Sequence, residues 1–177
     1  MKKTVISFLL LSLSTFVFVM GQGYNKGQLS ISPTLAIRAP GAFLANLKKG
    51  SYTIPAVLYV DYGIHDMISV GAIGGLRYFQ CERCSESDPG TYFSAGVRVN
   101  GHVLPILAKV ADIELRNENL DIYLSLMGGR ELNSSIKMIP RISAGLRYSV
   151  KPSVAVMVEL GSGFLSMINV GATFRVL

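Results

Sequence analysis

Ile168-Asn-Val-Gly-Ala-Thr-Phe-Arg-Val-Leu177 alternates from Ile168 through Val176. Ile168, Val170, Ala172, Phe174 and Val176 fall on one phase, and Asn169, Gly171, Thr173 and Arg175 on the other. Successive side chains of an extended chain point to opposite faces, so this stretch is a strand with one apolar face and one small, polar face. The pattern recurs upstream. Ile142, Ala144, Leu146 and Tyr148 alternate with Arg141, Ser143, Gly145 and Arg147. Ile68, Val70, Ala72, Gly74, Leu76 and Tyr78 alternate with Ser69, Gly71, Gly75 and Arg77. Phe93, Ala95, Val97 and Val99 alternate with Ser94, Gly96, Arg98 and Asn100. The segments 29–38, 54–63, 120–130 and 154–161 behave alike, the second with Asp61 and the last with Glu159 on the polar phase. Eight strands result, each near the roughly 9–11 residues that a tilted strand needs to cross a bilayer.

Composition selects the barrel reading over a soluble one. Half the residues are apolar and the mean hydropathy is +0.41, yet no later segment is long enough for a spanning helix. Strands in lipid must close on themselves so that no edge is left unpaired. A soluble barrel turns its apolar face inward and exposes charges. Here the minority face holds glycine, serine and arginine, which suit a crowded interior, and the other face is an apolar band with Tyr62, Tyr78, Phe93, Tyr148 and Phe174 near strand ends. The expected fold is all-β: an eight-stranded antiparallel transmembrane β-barrel over residues 22–177.

Residues 1–21 are set apart as a cleaved signal peptide. Lys2 and Lys3 precede an apolar run from Val5 to Met20, and Val19 and Gly21 suit a cleavage site. Those lysines supply two of the +6 formal charges. The arginines are scattered singly, without a basic run or helix, which argues against nucleic acid as a partner. With the N-terminus in the periplasm, the short turns 63–67 and 149–153 face that side, and 39–52 and 80–92 become outer loops. Residues 103–119 are long for a periplasmic turn. Leu104, Ile106, Leu107, Val110 and Ile113 space a short amphipathic helix lying on the membrane surface.

Several stretches resemble the small outer-membrane β-barrel family, the OmpA/OmpX-like and opacity-porin-like group. They are Tyr-Gly-Ile-His-Asp-Met-Ile-Ser-Val-Gly (62–71), Asp-Ile-Tyr-Leu-Ser-Leu-Met-Gly-Gly (121–129), Ser-Ala-Gly-Leu-Arg-Tyr (143–148), Val-Glu-Leu-Gly-Ser-Gly (158–163) and Asn-Val-Gly-Ala-Thr-Phe-Arg-Val (169–176). The last is similar to the family's assembly signal, carried by Gly171, Phe174 and Val176. The resemblance implies a Gram-negative outer-membrane location, with outer-membrane lipids and the barrel-assembly machinery as partners. Some barrels of this kind modify lipids, using a histidine with serine and an acid at the outer-leaflet end. The two histidines here, His65 and His102, map to the opposite end, so general-base chemistry there lacks its usual agent.

Cys81 and Cys84 form a Cys-x-x-Cys inside an expected outer loop, without the second ligand pair of a zinc site or a thioredoxin-like setting. A local disulfide is the expected state, with two free thiols as the alternative. No catalytic residue, cofactor or metal is expected. Glu159 shares the inward face with arginines 77, 98, 141, 147 and 175. A register about Lys151-Pro152 sets Glu159 opposite Ser143 or Gly145 and offers Arg141 or Arg147 as its ion-pair partner on the diagonal. An eight-stranded barrel has room for little beyond its own side chains. The expected role is therefore that of a non-enzymatic, monomeric barrel, structural or surface-interacting, plugged by polar side chains; a narrow porin-like channel is the alternative.

Overall fold

The computed structural model describes residues 24–37, 51–81, 90–111, 119–132, 140–162 and 167–176. Eight strands among them pair antiparallel with their chain neighbours: β1 (Leu29–Ile37), β2 (Ser51–His65), β3 (Ile68–Cys81), β4 (Gly90–His102), β5 (Leu120–Glu131), β6 (Arg141–Lys151), β7 (Val154–Gly161) and β8 (Ile168–Arg175). β8 pairs back onto β1 and closes the barrel. Among the described residues one helix, α1 (Val103–Ala111), leaves the end of β4. No described helix is long and apolar enough to cross a membrane.

Side-chain phase follows the alternation of the sequence. The polar phase is buried in the lumen, as in β6, where Ser143, Gly145, Arg147 and Ser149 are enclosed while Ile142, Leu146 and Tyr148 are exposed. The outer wall is a band of exposed apolar residues on every strand, with Leu35, Val97 and Ile142 at 60%, 67% and 65% exposure. A one-residue slip would invert both faces, so burial of the polar phase holds the register.

Strands β2, β3 and β4 are longer than expected, at 15, 14 and 13 residues. The backbone ladder simply continues past the alternating stretch, with Ser51 pairing Cys81 and Phe79 pairing Gly90. The trailing edge of the expected loop 39–52 and both edges of the expected loop 80–92 are therefore strand. β7 keeps its expected bounds, Val154–Gly161, and β8 ends at Arg175, each with 8 residues. The signal peptide, the remainder of those loops and the state of Cys81 and Cys84 lie outside the described residues.

The barrel has a short-turn end, where the β2–β3 and β6–β7 connections, α1 and Tyr24 lie. The chain enters there across the barrel mouth. Gly27 takes a φ of +83°, which glycine adopts without a steric penalty. Its N–H donates to the Gly63 carbonyl at 2.8 Å, and the Gly63 N–H donates to the Gln28 carbonyl at 2.9 Å.

Closure has one irregularity. The Leu29 carbonyl accepts from the Val176 N–H at 2.9 Å, so odd residues of β1 aim their backbone groups at β8. Pro33 is odd and has no N–H to offer. The β1–β8 pairing accordingly skips Ser32 and Pro33 and resumes at Thr34 with Gly171. The Ser32 and Thr173 hydroxyls bridge the gap at 2.8 Å.

Candidate functional site in the barrel lumen

Inward side chains stack in layers along the barrel. At the short-turn end the Tyr24 ring, 1% exposed, lies parallel to the His102 imidazole with centroids 4.3 Å apart. Its hydroxyl donates to the Gln28 carbonyl at 3.4 Å and shares a hydrogen bond with Ser30 Oγ at the same distance. Burial pushes the Tyr24 phenol above its ordinary pKa.

Beneath Tyr24, three strands present Ser69, His102 and Asp121. Asn100 Nδ2 donates to Ser69 Oγ at 2.9 Å, Ser69 Oγ lies 3.1 Å from His102 Nε2, and His102 Nδ1 lies 2.8 Å from Asp121 Oδ1. A carboxylate on the Nδ1 side assigns that nitrogen as the donor, and the Asn100 amide leaves the Ser69 proton for Nε2. Serine, histidine and acid thus stand in the order of a nucleophilic triad. Substrate access is what differs: Ser69 and His102 are both 0% exposed, and Tyr24 covers the imidazole. The chain of bonds links β3, β4 and β5 to one another.

The next layer carries the charge. Asp61 accepts from Arg98 Nε at 2.6 Å and also from Arg98 Nη2, from Arg147 Nη2 at 2.8 Å, and from Asn100 Nδ2 at 3.2 Å. Arg147 Nη1 reaches Asp121 at 3.4 Å. Arg98 Nη1 donates to Glu159 Oε2 at 3.1 Å, and Glu159 also accepts from Tyr123 Oη at 3.1 Å and Tyr59 Oη at 3.3 Å. The guanidinium of Arg98 lies 3.9 Å from the Tyr59 ring centroid, and that of Arg147 lies 4.3 Å from the Tyr123 centroid. Both arginines and all three acids are fully enclosed. Removing a charge from water is expensive, and only dense pairing of this kind offsets it. Beyond these groups, toward the loop end, Val57, Ile73, Met127 and Ala36 form an apolar layer.

The expected partners of Glu159 need correction. The register itself is the expected one, with Gly145 opposite Glu159. The space above Gly145 is taken by Tyr123, its partner on the other side, whose ring any β-carbon at Gly145 would strike. Tyr123, Gly145 and Glu159 therefore form one row, and the ion pair runs across the lumen to Arg98 instead of to Arg141 or Arg147. Arg147 turns toward Asp61 and Asp121, while Arg141 lies nearer the loop end of β6. The expected polar plug is also only part of the filling, because the Val57–Ile73–Met127 layer is apolar. Of the residues assigned to assembly, Phe174 and Val176 are exposed on the outer wall and Gly171 packs against Pro33 and Thr34 at the closing seam.

Asp61, Arg98 and Asp121 were legible as inward residues from their phase; their meeting was not. Strands two or more places apart in the barrel face each other across the lumen, and no local spacing encodes that distance. Tyr59, Tyr123 and Tyr24 gave no signal, since tyrosine reads equally as wall or girdle.

These residues define a class: a closed, eight-stranded antiparallel barrel whose lumen is filled by its own side chains. Among solved structures, one described as "De novo design of transmembrane beta-barrels" is similar, with a TM-score of 0.50 and 19% identity, covering 87% of this chain and 99% of that one. At that identity the likeness is one of fold. No protein-family model matches the chain, and no curated relative does.

Proposed function

We propose that the chain is an integral barrel of a bacterial outer membrane, of the small OmpA/OmpX-like kind, with a sealed lumen and a structural or surface-interacting role without catalysis. The observation that carries the sealed reading is the Arg98–Asp61–Arg147 cluster, which crosses the lumen between β2, β4 and β6 with no exposed charge. A water-filled channel would leave such groups solvated, whereas here each is consumed by another side chain. The apolar outer band supports a lipid setting, because in water so large an exposed apolar surface favours association. Exposed Ile106, Leu107 and Val110 on α1 extend that band to the short-turn end.

Single-channel recording of the refolded protein in a planar bilayer tests the sealed reading. A flat trace is expected once insertion is verified by protease protection. Discrete, reproducible conductance steps would favour the porin-like alternative. Hydrolysis of a short-chain ester by the same preparation, abolished by Ser69→Ala, would overturn the non-catalytic part.

A further inference from the structure

At the short-turn end a cavity of about 720 Å³ opens between the entering chain, the β6–β7 hairpin and the end of β8. Its polar lining includes Arg175, Lys151, Asn119 and Gln28, and none of the described residues lining it is acidic. Arg175 is held in place: Nη2 donates to Ser149 Oγ at 2.6 Å and Nη1 to the Pro152 carbonyl at 3.2 Å. Gln28 is 7% exposed. Its Oε1 accepts from the Asn25 N–H at 3.1 Å, which turns the amide nitrogen the other way, and that Nε2 has no hydrogen-bond partner among the described residues. A buried donor without an acceptor is unfavourable unless something brings one.

A pre-oriented guanidinium, an exposed ammonium and an unanswered amide donor around one cavity describe an acceptor-rich, negatively charged ligand. We propose that this cavity binds a phosphate-class oxyanion, with Arg175 and Lys151 supplying charge and Gln28 Nε2 a hydrogen bond. The lining continues onto Tyr148 and Val150, which are 50% and 62% exposed on the apolar outer wall. A phosphate set beside an apolar wall is the chemistry of an anionic lipid headgroup with its acyl chain. Free phosphate shares the first half of that chemistry only. The site does not depend on whether the lumen conducts; its lipid arm alone rests on the membrane reading.

The test uses the full chain refolded in an uncharged detergent, titrated separately with short-chain phosphatidylglycerol, inorganic phosphate and a short-chain diacylglycerol, and followed by calorimetry. Saturable binding of phosphatidylglycerol is expected, weakened about tenfold, the equivalent of about 1.4 kcal/mol, by Gln28→Glu, which keeps the acceptor for Asn25 but repels an anion. Lys151→Gln should weaken it several-fold. Because Lys151 is exposed, that variant carries the test if Gln28→Glu does not fold. Binding of the lipid but not of phosphate assigns the headgroup source, and equal binding of both assigns the oxyanion alone. No binding of either, equal binding of diacylglycerol, or affinities unchanged in Lys151→Gln and in any folded Gln28→Glu protein would overturn the site.

Discussion

Asp61 accepts more hydrogen bonds than any other lumen residue described above, since both buried arginines and Asn100 donate to it. Asp61→Asn should lower stability by about 3–5 kcal/mol, because it leaves guanidinium charge buried with too little compensation. Urea unfolding in detergent measures it. A double-mutant cycle between Arg98 and Glu159 should show strong coupling, and one between Arg141 and Glu159 little. Gly145→Ala should cost about 1–3 kcal/mol through overpacking against Tyr123, a large effect for one methyl group. Tyr24 adds a pH dependence. Its phenol is raised in the folded state, so its contribution is fully present below the ordinary value of 10.0 and is lost as pH climbs above it. Stability should therefore be level near neutrality, fall at alkaline pH, and fall less steeply in Tyr24→Phe. Which side chains face inward could be read from the sequence; which of them touch could not, because contact across the lumen depends on closure.

Among the elements, strand phase was the most legible feature and strand length the least. Phase is set by burial, whereas length is set by backbone pairing, which Ser51, Tyr52 and Gly90 continue without any alternation to announce it. The outer wall makes the membrane reading testable. Leu146→Arg should destabilise by about 2–4 kcal/mol if β6 crosses the bilayer with Leu146 near the midplane. In a water-soluble barrel the same exposed position would tolerate arginine with little change. The spacing of Leu104, Ile106, Leu107, Val110 and Ile113 predicts a helix here, and α1 carries the first four, Ile113 lying outside the described residues. Leu104 is buried against the barrel and the other three are exposed, so the helix has one anchoring residue and an uncovered apolar side. Leu104→Ala should loosen it at a cost of about 2–5 kcal/mol.

For the molecule as a whole, a closed ladder predicts that unheated samples migrate differently on gels from boiled ones, because detergent finds no strand edge to enter. The layered lumen predicts that Glu159→Ala alone stays non-conducting, since Val57, Ile73 and Met127 still obstruct the path; opening should require that apolar layer to be thinned as well. Eight strands, their order and their faces followed from alternation, yet the apolar layer did not: Val57 and Ile73 share the inward phase of Asp61 and Ser69, but their gathering into one layer depends on closure. The proline at the β1–β8 seam has a mechanical consequence. A load drawn across the barrel wall would find its weakest line there, where a hydroxyl pair stands in for a missing backbone bond. Pulled in a force spectrometer, the protein should unzip from that line first. Cysteines in place of Ser32 and Thr173, already facing each other, should weld it shut and move the first rupture elsewhere.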